Sequence, residues 1–125
     1  MNYKCQVFTP NEFVEMMLDL ADYKKNLYGK KVLENSFGNG NFLVEIVERY
    51  IIDAINNKLD DDLIKNGLQD DIYGFEIDKT RLDECINRLN QVTLKYGIDN
   101  VNGKISEIDR KIVTELKDYK NVTTL

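Results

Sequence analysis

The 125-residue chain has no histidine, one proline and two cysteines, and each scarcity excludes some chemistry. Without imidazole, Cys5 and Cys85 cannot complete a thiolate and imidazole zinc set or a Cys/His nucleophile pair. Both read as structural thiols, Cys85 lying on the apolar stripe of a helix. No apolar run approaches the roughly 18 residues of a membrane helix, and the start, Met1 to Gln6, has no apolar signal core. A reduced, cytoplasmic, soluble protein is expected. Seventeen Lys and Arg against 22 Asp and Glu give a net charge of -5, which repels phosphate backbones where no basic patch reverses the field. The chain by itself is therefore expected to bind nucleic acid poorly. Its length and its 42% hydrophobic content suit a single domain, 1–125, with one core.

What is present is a regular alternation of strand and helix patterns. Thr9-Pro10-Asn11-Glu12 places a hydroxyl, a proline and a glutamate at the N-cap, N1 and N3 positions, a capping box. Phe13, Met16, Met17, Leu20 and Ala21 then predict the inward face of a helix over 10–22. Lys31 to Asn35 predicts a strand. After Gly40, the residues Phe42, Leu43, Ile46, Val47, Tyr50, Ile51 and Ala54 trace a second helix to about Asn56. Asp60, Asp61 and Asp62 read as the electronegative start of a short helix ending near Gly67. Consecutive acids on a helix point different ways, which disfavours a metal site there.

A second strand is predicted at 71–77. Asp78 would cap a helix with the stripe Leu82, Cys85, Ile86, Leu89, Thr93 and Tyr96, stopped by Gly97. Ile98 to Ile105 predicts a third strand interrupted by Gly103. Ile105, Ile108, Ile112, Leu116 and Tyr119 predict a final helix, and Asn121 to Leu125 is β-prone. Such alternation implies an α/β fold with a mostly parallel sheet flanked by helices, and ligands outside the carboxyl ends of the strands.

The candidate site lies at two strand ends. Glu34 to Leu43 combines an acid, a turn with Gly38 and Gly40, and a helix start. Backbone can approach a ligand closely at glycine, and the helix N-terminus offers free N–H groups. Glu76, at the end of the second strand, suits a ribose because a carboxylate matches a vicinal diol; the competing role, helix capping, fits Asp78 better. The dinucleotide fingerprint wants a third glycine and an acid about 20 residues on. Here Leu43 occupies the third glycine position and Glu76 lies 36 residues beyond Gly40, so a nicotinamide or flavin dinucleotide is disfavoured.

Three segments, Gln6-Val7-Phe8-Thr9-Pro10, Glu34-Asn35-Ser36-Phe37-Gly38-Asn39-Gly40-Asn41-Phe42-Leu43 and Gly74-Phe75-Glu76-Ile77-Asp78, together resemble the S-adenosylmethionine-binding motifs of adenine-N6 DNA methyltransferases of restriction-modification systems. The resemblance implies a partial, truncated Rossmann-like S-adenosylmethionine-dependent methyltransferase fold. It implies that Thr9 and Pro10 sit near the methionine carboxylate, that the Gly38 to Gly40 backbone passes beneath the methionine, and that Glu34 faces the amino-acid end. Glu76 would hold the ribose and Ile77 would pack on the adenine. Asp109 is the candidate acceptor for the adenine amino group, although its neighbours read equally as helix surface. Asn35 and Phe37 depart from the family's proline and cysteine.

In that family an Asn/Asp-Pro-Pro-Tyr/Phe motif after the fourth strand holds the flipped adenine. With Pro10 as the only proline, the chain contains no such motif, so no catalytic residue is assigned. Residues 1–125 are expected to be a cofactor-binding fragment that is inactive alone and meets DNA only through parts missing from it. The alternative is a structural or interaction module that self-associates, as a homodimer, through an exposed sheet edge.

Overall fold

Val32-Leu33 and Ile72-Tyr73 are two short apolar pairs forty residues apart that the fold lays side by side. A computed structural model describes residues 10–35, 41–75, 79–98, 104–106 and 123–124. Its elements in order are helix α1 (Pro10–Leu20), strand β1 (Val32–Asn35), helices α2 (Asn41–Asn56) and α3 (Asp61–Asp71), strand β2 (Ile72–Phe75), helix α4 (Lys79–Lys95), and strands β3 (Lys104–Ser106) and β4 (Thr123–Thr124). The strands form one sheet in the order β3-β2-β1-β4. All pairings are parallel, with Val32 opposite Ile72, Tyr73 opposite Lys104 and Val32 opposite Thr123.

Two successive crossovers step the sheet in the same direction, which places their helices on one face, and α2 and α4 pack on each other. The core joins Val32 and Ile72 to Leu43, Ile46, Tyr50 and Ile51 of α2 and to Cys85 and Leu89 of α4. Leu33 and Tyr73, which point to the opposite face, are buried as well. Burial on both faces is what makes the strands read as continuous apolar runs rather than alternating ones.

The α2 stripe is buried as its periodicity predicts, with Phe42 half-buried at its start. The stripe of α1 is not. Val14 and Leu18 are buried, while Phe13 and Met17 are 37% exposed and Leu20 76% exposed. Among the described elements α1 packs chiefly on α2, so it needs a narrow i, i+4 seam rather than a broad apolar face. Likewise Ile86 of α4 is exposed, whereas Cys85, Leu89 and Thr93 are buried. Cys85 is a free, buried thiol.

Two helix ends differ from expectation. Helix α1 stops at Leu20, because Tyr23 N–H donates to Leu18 O and Asp22 N–H to Asp19 O, with Asp22 at φ 59. This is a Schellman cap, with buried Tyr23 closing on buried Leu18. Helix α3 does not stop near Gly67 but runs to Asp71, which therefore belongs to the helix and not to β2. Gly67 is buried in the helix under Tyr50 and Tyr28, and a Cβ there would collide with the Tyr50 hydroxyl. Its role is close approach, not termination.

Asp60 caps α3, its carboxylate accepting from Leu63 N–H at 2.9 Å, with Asp61 and Asp62 in the first turn. Gly97, at φ 76, ends α4 as predicted. Ile105 is a β3 residue rather than the start of a final helix; the rest of that predicted helix and the Asp78 cap lie outside the described residues. Among the described residues no helix is long and apolar enough to cross a membrane.

Candidate functional site

The predicted site begins at the carboxyl end of β1. Glu34 is 3% exposed and lies in register with Gly74 of β2, one step before Asn35 meets Phe75. Glycine opposite Glu34 leaves cross-strand space that a side chain would fill. After β1 the chain steps first to β2 and β3, while β4 pairs on the other side of β1. The strand order thus reverses at β1, and in open α/β sheets ligands bind outside the carboxyl ends at such a point.

Two helix starts meet at this end. Phe13 in the first turn of α1 sets its ring edge-on to Phe42 in the first turn of α2, with centroids 6.4 Å apart and planes at 82°. Two turns further on, the Arg49 guanidinium of α2 grips the second half of α1. Its Nη1 donates to Asp19 Oδ1 at 2.8 Å and to Tyr23 O at 3.0 Å, its Nη2 to Glu15 O at 3.2 Å, and its Nε to Glu45 Oε2 at 3.2 Å. Contacts at both ends with matching chain sense make α1 and α2 run side by side. Their N-termini, the positive ends of two helix dipoles, therefore face the same region. Burial disfavours the charged guanidinium, but its hydrogen bonds to Asp19 and Glu45 outweigh that and raise its pKa. Burial also raises the pKa of Glu45, the bond to Arg49 only partly opposing it.

The amino end of β1 is built differently. Residues 21–31 form a loop whose N–H groups are received by two buried carboxylates. Asp53 of α2 accepts from Asn26 N–H at 3.1 Å and Leu27 N–H at 2.9 Å. Asp71 of α3 accepts from Gly29 N–H at 2.6 Å and from the Tyr50 hydroxyl at 2.5 Å, and pairs with Lys31 Nζ at 3.5 Å. Asn26 and Gly29 have positive φ, 57° and 84°, so the loop is tightly wound around these acceptors. Tyr23 and Tyr50 are fully buried. Burial first and the nearby aspartates second push both phenols above the usual tyrosine range; for Tyr50 the hydrogen bond to Asp71 is the second cause. An open depression of about 460 Å³, lined in part by Lys24, Lys25, Ile52 and Asn56, lies beside this loop.

Of the residues assigned from sequence, Glu34 is placed at the strand end and Pro10 opens α1. Thr9, Gly38, Gly40, Glu76, Ile77 and Asp109 lie outside the described residues, although Gly40 immediately precedes α2 and Glu76 immediately follows β2. No cluster of His, Cys, Asp or Glu among the described residues suits a metal ion. Sequence reasoning missed Arg49, Asp53 and Asp71. Asp53 lies between Ile52 and Ala54, three residues after Tyr50, and a carboxylate on that stretch of an apolar stripe was the available signal.

No family model matches the chain. Over 47 residues, 36% of the chain, it is 45% identical to the Type II methyltransferase M.PaeR7I of Pseudomonas aeruginosa. Part of the chain is similar to a type II methyltransferase. The match spans 8% of that relative's length, so it supports a methyltransferase-related role and extends to no more of the relative than that.

Proposed function

We propose that the chain forms the S-adenosylmethionine-binding part of an adenine-N6 DNA methyltransferase of a restriction-modification system. The observation that carries this reading is that the α1 and α2 N-termini meet through Phe13 and Phe42, α2 following the strand at which the sheet order reverses and on which Glu34 is buried. The strand order β3-β2-β1-β4 also agrees with half of a Rossmann-like sheet, in which the turn after the first strand receives the cofactor.

In this reading the helix N-termini and Thr9-Pro10 receive the methionine carboxylate, and Glu34 takes the ammonium. The Gly38 to Gly40 backbone supports the methionine chain, Glu76 holds the ribose, Ile77 packs on adenine, and Asp109 accepts from its amino group. The cofactor supplies an electrophilic methyl group. With Pro10 as the only proline, the family's Asn/Asp-Pro-Pro-Tyr/Phe motif is not among residues 1–125. Residues 1–125 then bind and orient the cofactor, while base flipping and DNA contact belong elsewhere.

Calorimetric titration of the folded chain with S-adenosylmethionine, S-adenosylhomocysteine and a nicotinamide dinucleotide tests the reading. Heat is expected from the first two only, and silence from both of them overturns it. Glu76→Gln should weaken S-adenosylhomocysteine binding by about 1–3 kcal/mol, as for loss of a charge-assisted hydrogen bond. Unchanged affinity rejects the ribose role. The competing reading, a self-associating module, draws on the short outer strands β3 and β4. It requires concentration-dependent dimerisation with no heat from either adenosyl ligand.

A further inference from the structure

We infer that Arg49 is a positioning residue for the amino-acid half of the proposed cofactor site; the inference rests on that site being as described above. Arg49 lies about two turns from the N-terminus of α2, and among the described residues its hydrogen bonds reach none that is assigned to the site. Yet it gathers Asp19, Glu15 O and Tyr23 O from α1 and its following turn. Its fourth acceptor, Glu45, is on α2 itself, so the planar head is braced before it reaches across.

The geometry gives this clamp a directional consequence. Helix α1 meets α2 through Val14 and Leu18, through the Phe13 and Phe42 rings and through Arg49. Met17 and Leu20 are exposed on α1, so among the described residues the apolar seam with α2 is narrow and defines rotation and register only weakly by itself. Two main-chain carbonyls held by one guanidinium fix both rotation and register, because a fork of donors in one plane fits only one arrangement of acceptors. The segment whose position is thereby set is the start of α1, with Pro10 at its first residue. None of the four acceptors lies on a strand.

Arg49 therefore acts selectively on ligands that carry the amino-acid group. The test compares S-adenosylhomocysteine with 5′-methylthioadenosine, which keeps the nucleoside and thioether and lacks the amino acid. Arg49→Met should weaken the first by roughly tenfold, about 1.4 kcal/mol, and leave the second unchanged. Arg49→Lys, which keeps the charge without the fork, should show the same selectivity and serves alone if the Met variant does not fold. Equal losses for both ligands, or no loss for either, overturn the positioning role. If the unaltered chain binds neither ligand, the cofactor reading fails and this inference with it, an outcome visible before any variant is made.

Discussion

The two ends of β1 solve the same problem in opposite ways. At the carboxyl end, the starts of α1 and α2 come together through Phe13 and Phe42, and the sequence keeps Gly38 and Gly40 just before α2. At the amino end, the loop's N–H groups are consumed internally, by Asp53 and Asp71. The amino end satisfies its donors with buried charge, whereas in the proposed reading the carboxyl end presents its helix starts to the cofactor. A buried carboxylate is costly unless it gathers several donors, and here each takes at least two. Helix α2 links the two ends, with Asp53 near its C-terminus and Phe42 in its first turn.

The sharpest way to break this contrast is Asp71→Ala. It strands the Tyr50 hydroxyl in a buried setting and removes the acceptor of the part-buried Gly29 N–H, and should cost about 2–4 kcal/mol in urea denaturation. A loss below about 1 kcal/mol, the level of exposed pairs, would mean that the loop is held by packing alone.

Alkaline titration probes the same end. The Tyr23 and Tyr50 phenols have folded pKa values above the ordinary 10, so the native state keeps protons that the unfolded chain releases. Their stabilisation is complete below about pH 10 and is lost as pH rises above it, by up to about 1.4 kcal/mol per pH unit for each tyrosine. Unfolding followed at several alkaline pH values should show this slope, and Tyr50→Phe should remove the Tyr50 share. An alkaline slope unchanged by Tyr50→Phe would contradict it.

Gly67→Ala tests the close approach of α3 to α2. Tyr50 is tied to Asp71 and cannot step aside freely, so overpacking of about 1–3 kcal/mol should exceed the helix-propensity gain of about 1 kcal/mol. A more stable variant would show that Tyr50 moves at little cost.

The smallest expected effect is at Lys58, which ends α2 at φ 62, with Leu59 N–H donating to Ala54 O. Lys58→Gly should raise stability by about 0.5–1 kcal/mol, since a left-handed residue with a Cβ is strained. A lower denaturation midpoint would contradict the cap.

These capping residues show where sequence reading stops. Gly97 was recognisable as a C′ residue, but Asp22 and Lys58 take the same conformation without glycine, so composition hid two of the three caps. Gly67 misled in the other direction, because a glycine needed for helix contact looks the same in sequence as one that ends a helix. The α2 face was legible because a helix buried along a wide stripe imposes its 3.6-residue period on the side chains. The α1 face was not, since a narrow seam leaves Phe13, Met17 and Leu20 free of that constraint.

Local sequence determined the strand, turn and helix order, the capped start of α3 and the acid and glycines around β1, because propensity and backbone sterics act over a few residues. Tertiary structure decided that β4 returns to pair with β1, that α1 lies beside α2 under Arg49, and that Asp53 and Asp71 face a loop more than twenty residues away. Those outcomes depend on which donors meet which acceptors once the chain has closed. A carboxylate's role is set by the groups that surround it in space, and no spacing along the chain records them.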